Sequence, residues 1–302
     1  MNLSVNIAGV ELKNPVTVAS GTFGFGREYS EFYDLSLLGG ISVKGLTYTS
    51  REGNRPPRIA ETPSGMLNSV GLQNPGYLSF IENELPFLRK FDTKIIANIS
   101  GNTVDEYAVM TRALCEAGVD LIELNVSCPN VKHGGAMFGI STDGIESVVT
   151  ACRKVATNPL IVKLTPNVTD VAQMAKAAEA SGADAISLIN TLLGMKIDIN
   201  TRRPILGMNV GGLSGPAVMP VAVRMVWQVA NAVSIPVIGM GGIMTAEDAI
   251  EFLIAGATAV AVGTANIVDP MAPVKILDGI EKYCTFNSLN VCDIISSLEV
   301  NT

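Results

Sequence analysis

The stretch L-I-E-L-N-V-S-C-P-N, residues 121–130, decides how this chain is interpreted. Its first four residues form a mostly apolar run that predicts a buried strand. The remaining residues bring amides, a hydroxyl and a thiol together, and Pro129 ends the strand because proline has no N–H to donate. This polar cluster therefore lies just past the carboxyl end of a strand, where parallel α/β folds bind ligands. Within it, Cys128 is the group that can act as a base near neutral pH.

Short apolar runs recur along the chain and alternate with longer segments of helical periodicity, a pattern typical of parallel strands buried on both faces. The predicted strands are Val16–Ala19, Ile41–Val43, Ile95–Ile99, Leu121–Asn125, Leu160–Leu164, Ala185–Ile189, Val237–Met240 and Ala259–Val262. The predicted helices are Glu28–Leu37, Leu78–Arg89, Val104–Ala117, Gly144–Ala156, Val168–Ser181, Pro216–Val233, Ala246–Ala255 and Ala272–Tyr283. Eight strands with eight helices favour a closed (β/α)8 barrel, or TIM barrel, over an open doubly wound sheet.

The ends of the predicted helices carry local signals that support this division. Thr103 and Thr245 are each followed three residues later by an acidic residue, which is the pattern of a helix N-cap. Gly118, Gly182 and Gly256 each follow a predicted helix and precede a predicted strand, where glycine can take the left-handed conformation that ends a helix. We find no linker or break in composition, so residues 1–302 are predicted to form a single domain.

Two connections are longer than a barrel needs. Residues 45–77 follow the second predicted strand and residues 190–215 follow the sixth, and both are rich in Gly, Pro, Asn and Arg. Connections of this length are usually functional lids or disordered segments. Because both lie on the carboxyl side of a strand, we expect them near a binding site.

Composition excludes several classes of function. The 302 residues carry a net charge of −7 without a cluster of Lys or Arg, so a nucleic-acid partner is not expected. No signal peptide or membrane span is visible, and no His, Asp or Glu set has metal-ligand spacing. An odd number of scattered cysteines without a C-x-x-C motif indicates a reducing compartment, so we expect a cytoplasmic protein with no iron–sulfur or zinc site of its own. The cysteines are Cys115, Cys128, Cys152, Cys284 and Cys292.

The predicted strands end in residues suited to one anionic ligand. The residues at or just after the strand ends are Ser20, Lys44, Asn98, Asn125, Lys163, Asn190, Gly241 with Gly242, and Gly263 with Thr264. A lysine buried at the end of an apolar strand must find an anion or an acceptor. In such barrels the loops after strands seven and eight, with a helix N-terminus, form a phosphate site, and Gly242 lies just before the helix capped by Thr245.

A nucleotide fingerprint is absent, although Gly24-Phe25-Gly26 resembles the start of one. The third glycine is missing, because Tyr29 stands in its place, and Lys44 is found where an acidic residue would be required. We therefore interpret this segment as a glycine-rich turn below the ligand and expect no NAD site in the chain.

Four motifs resemble those of one known family. They are Asn14-Pro15-Val16 through Ala19-Ser20-Gly21-Thr22-Phe23-Gly24, the run Asn68-Ser69-Val70-Gly71-Leu72-Gln73-Asn74-Pro75-Gly76, the run Asn125-Val126-Ser127-Cys128-Pro129-Asn130, and Ile189-Asn190-Thr191. Over about residues 3–283 the chain is similar to the catalytic subunits of class 1B, NAD-linked, dihydroorotate dehydrogenases. The resemblance implies a TIM barrel that binds FMN and oxidises dihydroorotate to orotate in pyrimidine biosynthesis.

The resemblance also implies a role for individual residues. Cys128 would be the base that removes a proton from the substrate, and Lys163 would stabilise negative charge on the reduced flavin. The implied substrate-binding residues are Lys44, Asn68, Ser69, Val70, Gly71, Leu72, Asn125, Asn190 and Thr191. The implied FMN-binding residues are Ser20, Lys44, Gly45, Asn98, Asn125, Lys163, Ile189, Gly215, Gly241, Gly242, Gly263 and Thr264. His133, the one histidine, could pair with Cys128, although the family does not rely on a histidine there.

The same class implies a partner. Its electrons pass to NAD through a second subunit carrying FAD and a 2Fe–2S cluster, in a heterotetramer of two catalytic and two partner chains. The competing interpretation is a class 1A homodimer that reduces fumarate, whereas Cys128 disfavours the membrane-bound quinone class, which has Ser there. Two other classes stay open: a flavin-free barrel acting on a phosphorylated metabolite, and a non-catalytic ligand-binding or scaffold protein.

Overall fold

A closed barrel of parallel strands forms the centre of the molecule. The structure is a computed structural model that describes residues 1–127 and 138–301, so Cys128 and His133 lie outside the described residues. Each barrel strand pairs in parallel with the next one along the chain, and the last closes on the first. The strands, β1 to β8, are Val16–Val18, Gly40–Ser42, Lys94–Ile99, Leu121–Asn125, Leu160–Lys163, Ala185–Leu188, Val237–Gly239 and Ala259–Val262. The predicted TIM barrel and its eight strands are confirmed.

Helices cover the outside of the barrel. The longer ones are Val104–Ala117, Thr142–Arg153, Val171–Ala180, Met219–Ala230, Ala246–Ile254 and Ala272–Asn287. The shorter ones are Ser20–Phe23, Tyr77–Ser79, Leu85–Leu88, Ala265–Val268 and Val291–Ile294, with a π-helical segment Phe80–Glu84 and 3-10 turns at Tyr29–Glu31, Leu35–Leu37, Phe138–Ile140 and Pro216–Val218. No helix of the described residues is long and apolar enough to cross a membrane.

The helix predicted between β1 and β2, Glu28–Leu37, is wrong. Two 3-10 turns, Tyr29–Glu31 and Leu35–Leu37, replace it. The side chain of Asp34 accepts the N–H of Ser36 at 2.9 Å, which starts the second turn instead of continuing a helix. This connection therefore carries less regular structure than its apolar spacing suggests.

The helix-end signals are confirmed where they were predicted. The hydroxyl of Thr103 accepts the N–H of Glu106 at 3.2 Å. Thr245 and Asp248 form a reciprocal capping box at the start of Ala246–Ile254. Gly118 ends its helix in the left-handed conformation, with φ of 80° and ψ of 40°.

The two long connections pair with each other above the barrel. Four antiparallel strands form a sheet in the order Leu192–Met195, Val210–Ser214, Gly65–Asn68 and Ile59–Thr62, which we call the roof sheet. Two separate hairpins join Val5–Ile7 to Val10–Leu12 and Ile197–Asp198 to Arg203–Pro204. The long connections are therefore ordered, because each supplies the hydrogen-bonding edge that the other requires.

The segment after the family resemblance, residues 285–301, packs on the barrel. The N–H of Val291 donates to the carbonyl of Asn2 at 3.0 Å, and the side chains of Val291 and Ile294 are buried. This segment thereby ties the C-terminal part of the chain to its N-terminus.

Candidate active site at the carboxyl end of the barrel

A cavity of about 810 Å³ lies between the carboxyl ends of the barrel strands and the roof sheet. The predicted site residues that line it are Ser20, Lys44, Gly45, Asn68, Ser69, Val70, Gly71, Leu72, Asn98, Asn125, Lys163, Ile189, Asn190, Thr191, Gly241, Gly242, Gly263 and Thr264. Gly215 does not line it; this residue follows the roof strand Val210–Ser214 and packs tightly against Gly65. Apart from Gly215 and Cys128, the predicted residues converge on one place.

Two lysines supply positive charge to this cavity. Lys163 ends β5 and is 5% exposed, and Lys44 follows β2 and is half-buried. Burial, and then the nearby charge of Lys163, lowers the pKa of Lys44. Within residues 1–127 and 138–301, neither ammonium group lies within ion-pair distance of a carboxylate. Two such cations without an acidic partner make the cavity suited to an anion.

A buried carboxylate lies beneath the cavity, on β4. Glu123 is 3% exposed and accepts hydrogen bonds from the hydroxyls of Ser42 at 2.9 Å and Ser187 at 2.7 Å. The amide of Asn98 donates to the same carboxylate at 2.5 Å. Because a carboxylate oxygen accepts, Glu123 takes up the Nδ2 of Asn98 and leaves the Oδ1 of that residue free to accept the amide of Asn125.

Sequence reasoning missed Glu123. Glu123 lies within the mostly apolar run Leu121–Leu124, and a charged residue inside a strand buried on both faces is the signal that could have identified it. Its donors come from β2, β3 and β6, so nothing local to the sequence identifies them.

The amides at the rim of the cavity form a continuous series of hydrogen bonds. The Nδ2 of Asn125 donates to the Oδ1 of Asn98 at 3.5 Å, and the hydroxyl of Ser127 donates to the Oδ1 of Asn125 at 2.7 Å. The Nδ2 of Asn190 in turn donates to Ser127. The orientation of each amide is thus fixed by its neighbour, which presents defined donors and acceptors to a ligand. The hydroxyl of Tyr107 supports the series from below by donating to the carbonyl of Asn125 at 2.8 Å.

The glycines after β7 and β8 leave their backbone open to the cavity. Gly242 has a φ of 83°, and a Cβ atom there would lie 2.7 Å from the Cβ of Met219, so no side chain fits. The N–H groups of Gly242, Gly263 and Thr264 donate to no acceptor in the described part of the chain. The N-terminus of the nearby helix Ala246–Ile254 is less available to an anion, because Asp248 already accepts the N–H of Thr245 at 2.9 Å. The donors available to an anion are therefore the glycine-loop amides more than the helix N-terminus.

The roof contributes a polar loop at residues 68–72. The Nδ2 of Asn68 donates to the carbonyl of Gly212 at 3.3 Å, which joins the two long connections at the cavity wall. Gly71 and Leu72 both have positive φ, of 76° and 54°, so the chain turns tightly there. The side chain of Asn54 supports this turn from behind by donating to the carbonyl of Ser69 at 3.2 Å.

The cysteines of the described chain lie away from this cavity. Cys115, Cys152 and Cys284 are buried and Cys292 is exposed. Burial raises the pKa of Cys152 to about 11, which makes it a packed, unreactive thiol as its place in a helix predicted. Among residues 1–127 and 138–301, no group of three or more His, Cys, Asp or Glu side chains is placed to hold a metal ion.

Comparison with known proteins identifies the family. The model of the family described as dihydroorotate dehydrogenase matches residues 2–284. The chain belongs to the dihydroorotate dehydrogenase family. The predicted resemblance over residues 3–283 is thereby confirmed, and the prediction of an oxidoreductase follows from membership of a dehydrogenase family.

Individual relatives of this family are similar over nearly their whole length. A protein of Alkaliphilus oremlandii is 62% identical over 298 residues, covering 98% of this chain and 99% of the relative. Relatives from Thermoanaerobacter pseudethanolicus and Bacteroides fragilis are 57% and 54% identical, each covering 99% or more of both chains. All three are named dihydroorotate dehydrogenase B (NAD(+)), catalytic subunit.

Proposed function

We propose that this chain is the FMN-dependent catalytic subunit that oxidises dihydroorotate to orotate in pyrimidine biosynthesis. The observation that carries the proposal is the pair Lys44 and Lys163, which enter one cavity without a carboxylate partner among the described residues. Together with the oriented amides beside them, they suit a planar ring that carries negative charge. The names of the relatives point to the same reaction.

The residues at strands β7 and β8 fit the phosphate of FMN. The N–H groups of Gly242, Gly263 and Thr264 are free to donate, and Gly242 has no room for a side chain that would fill the space. Lys163 and Asn98 would lie under the flavin ring, where Lys163 would stabilise the negative charge of the reduced form. A cavity of about 810 Å³ is large enough for a cofactor and a small substrate together.

The carboxylate of dihydroorotate would bind Lys44. The substrate ring alternates C=O and N–H groups, which amides match because each offers one donor and one acceptor. Asn68, Asn125 and Asn190 would supply these contacts, with Thr191 and the backbone of residues 69–72 completing the cradle. Asn190 and Asn125 are already joined through Ser127, so the substrate would meet a rim that is ordered in advance.

Removal of the C5 proton would be the task of Cys128, which follows Ser127 in the chain. A free thiol has a pKa near 8.5, so only about 3% is thiolate at pH 7. A positive charge near a thiol favours the thiolate, and Lys44 lines the cavity that Ser127, the residue before Cys128, also lines. Bound FMN supplies the acceptor for the hydride that leaves C6.

We further propose that a separate subunit with FAD and a 2Fe–2S cluster passes the electrons to NAD, in a cytoplasmic heterotetramer of two catalytic and two partner chains. The relatives are named catalytic subunits of an NAD(+)-dependent enzyme, which supports a second kind of chain. The absence of a nucleotide fingerprint at Gly24–Gly26 in the sequence is consistent with an NAD site elsewhere.

Anaerobic bleaching of the flavin tests the proposal. The purified chain should retain FMN, and dihydroorotate should bleach it, whereas NAD should be reduced only after the partner subunit is added. Co-purification from the native cell should recover a companion chain with FAD and iron. A colourless chain without bound FMN would contradict the flavin assignment, and rapid fumarate reduction by the isolated chain would support the class 1A alternative instead.

A further inference from the structure

A second cavity, of about 790 Å³, lies beside the one already described. It is lined by Arg51, Asn54 and Arg55 of the first long connection, by Asn102 after β3 and by Met208 of the second long connection. Met208 also lines the central cavity, so the two spaces meet at this side chain. The residues that line the second cavity differ from those proposed above to bind substrate or cofactor.

The partition between the two cavities is thin. The N–H of Asn54 donates to the carbonyl of Val70 at 3.0 Å, and its side chain donates to the hydroxyl of Ser69 at 3.1 Å. Asn54 therefore faces the second cavity while it holds residues that line the central one. A ligand in the second cavity would be about one side chain away from the polar loop at residues 68–72.

The second cavity is basic. Arg51 donates to the side-chain oxygen of Asn102, and Arg55 donates to the carbonyl of Gly207 at 2.8 Å. Each guanidinium is thus anchored by a neutral acceptor, and neither forms an ion pair with a carboxylate of the described chain. An arginine has five N–H donors, so both retain a free edge that can bind a carboxylate.

The charge of the two long connections contrasts with the net charge of the whole protein. Residues 45–77 and 190–215 carry six basic and three acidic side chains, a net charge of +3, whereas the whole chain carries −7. The net charge of the whole chain therefore repels an anionic ligand, whereas the net charge of the two long connections attracts it. A cleft lined by charges of one sign raises the association rate of ligands of the opposite sign. We therefore expect an anionic ligand to associate over the two long connections.

We propose that the cavity of Arg51 and Arg55 is an outer capture site for the carboxylate of the substrate, from which it passes Met208 into the central cavity. The inference rests on the proposed function, since it requires an anionic substrate. The ligand class is a small carboxylate anion such as dihydroorotate or orotate. The site acts on association, because its charges attract the anion before Lys44 binds it.

The test is the association rate of orotate with the FMN-loaded enzyme, followed by rapid mixing through the change in flavin absorbance. It is measured at ionic strengths of about 0.01 M and about 1 M, where the Debye lengths are about 30 Å and about 3 Å. The double variant Arg51→Gln with Arg55→Gln should associate about 3- to 10-fold more slowly than the unmodified enzyme at low ionic strength. At high ionic strength the two rates should converge.

Two control variants separate charge from structure. Arg51→Lys with Arg55→Lys keeps both charges and should restore most of the rate at low ionic strength. Arg224→Gln removes an exposed arginine that donates to Gln228 on the outer helix Met219–Ala230, and it should leave the association rate unchanged. Bound FMN and melting temperature show that each variant is folded.

Three results would overturn the inference while the proposed function stands. They are an orotate association rate of the unmodified enzyme that does not depend on salt, a loss in the glutamine variant that is equal at both ionic strengths, and a lysine variant as slow as the glutamine one. An FMN-loaded enzyme that neither binds orotate nor is bleached by dihydroorotate would instead remove the proposed function, and this inference with it.

Discussion

Charged side chains are paired at one end of the barrel and lack such partners among the described residues at the other. At the amino end, Lys94 lies 3.4 Å from Asp120, and Arg153 lies 2.6 Å from Asp184. Each of these carboxylates also accepts an N–H group at the start of a barrel strand. The charges there are neutralised within the chain, where one pair joins the starts of two neighbouring strands and the other joins a helix to the segment before a strand.

At the carboxyl end the lysines have no such partner. Lys44 and Lys163 lie in the cavity without a carboxylate of the described chain within ion-pair distance, and the one buried acid nearby, Glu123, is satisfied by neutral donors. Charge at the amino end therefore stabilises the fold, whereas charge at the carboxyl end is kept available for a ligand. Substitutions at the two ends should therefore affect different quantities.

The largest effect is expected for Cys128→Ala. If the thiol is the base at the carboxyl end, bleaching of the flavin by dihydroorotate should slow by about 10²- to 10⁴-fold, because general base catalysis is lost. FMN binding should be retained, as measured by absorbance after gel filtration. The matched control is Cys292→Ala, which removes an exposed thiol and should bleach at the normal rate. Normal bleaching by Cys128→Ala would remove this residue from the reaction.

Next in size is Lys44→Gln. The variant keeps a polar side chain but loses the charge that binds the substrate carboxylate, so orotate affinity should fall by about 10- to 100-fold. Because the lysine has no acidic partner in the described chain, no carboxylate is left unpaired and the melting temperature should not fall. Calorimetric titration with orotate and thermal unfolding measure the two quantities. A lower melting temperature with unchanged orotate affinity would show that Lys44 stabilises the fold instead of binding the ligand.

Lys44 also predicts a dependence of orotate binding on pH. Burial lowers its pKa from 10.5, and the ammonium form is the one that binds a carboxylate, so affinity should be full below the lowered pKa and fall as pH rises through it. Without ligand, the unfolded chain binds more protons than the folded one between the lowered and the ordinary pKa, so this group should make stability rise with pH in that window. Orotate titrations in this alkaline range test whether the affinity falls as the pH rises. The Lys44→Gln variant should lack the pH dependence that Lys44 contributes to affinity and to stability.

A smaller effect is expected for Glu123→Gln, which keeps the shape of a buried side chain but introduces an N–H donor. The hydroxyls of Ser42 and Ser187 and the amide of Asn98 would then compete for one acceptor fewer. We expect a loss of about 1–3 kcal/mol in the free energy of unfolding, measured in urea. The orotate affinity should also fall, because Asn98 would no longer be held in one orientation. Unchanged stability and affinity would show that the buried carboxylate has no positioning role.

The smallest effect is expected at the amino end, for Asp120→Asn. The pair with Lys94 is partly exposed, with side chains that are 40% and 30% accessible for the lysine and the aspartate, so its loss should cost less than about 1 kcal/mol. Turnover and orotate affinity should stay at their normal values, as steady-state kinetics would measure. A clear loss of activity here would show that the two ends are coupled and that the contrast drawn between them is too simple.

The barrel was predictable because its signals are local. Each strand is a short apolar run, and the helix ends at Gly118 and Thr245 are marked by residues that adopt the expected cap. The helix expected at Glu28–Leu37 failed for an equally local reason, since Asp34 starts a new turn within it. Local sequence signals therefore explain both the correctly predicted elements and the one wrongly predicted helix.

The site was predictable only in part. Parallel strands share a direction, so the side chains that follow them could be assigned to the carboxyl end of the barrel. This reasoning placed Lys44 and Lys163 together in one site. The roof sheet was not predictable, because it pairs Asn68 with Gly212, which are distant in sequence. Glu123 was missed for the same reason, as its partners come from three other strands.

The pairing of the two long connections has a consequence for protein engineering. Gly65–Asn68 and Val210–Ser214 share one ladder, so a graft that brings in one connection from a distant homologue would meet a mismatched edge on the other. The two segments constitute a single exchangeable module, although well over a hundred residues of barrel separate them along the chain. Chimeras that transplant both together should keep a working cavity, whereas those that transplant either one alone should not.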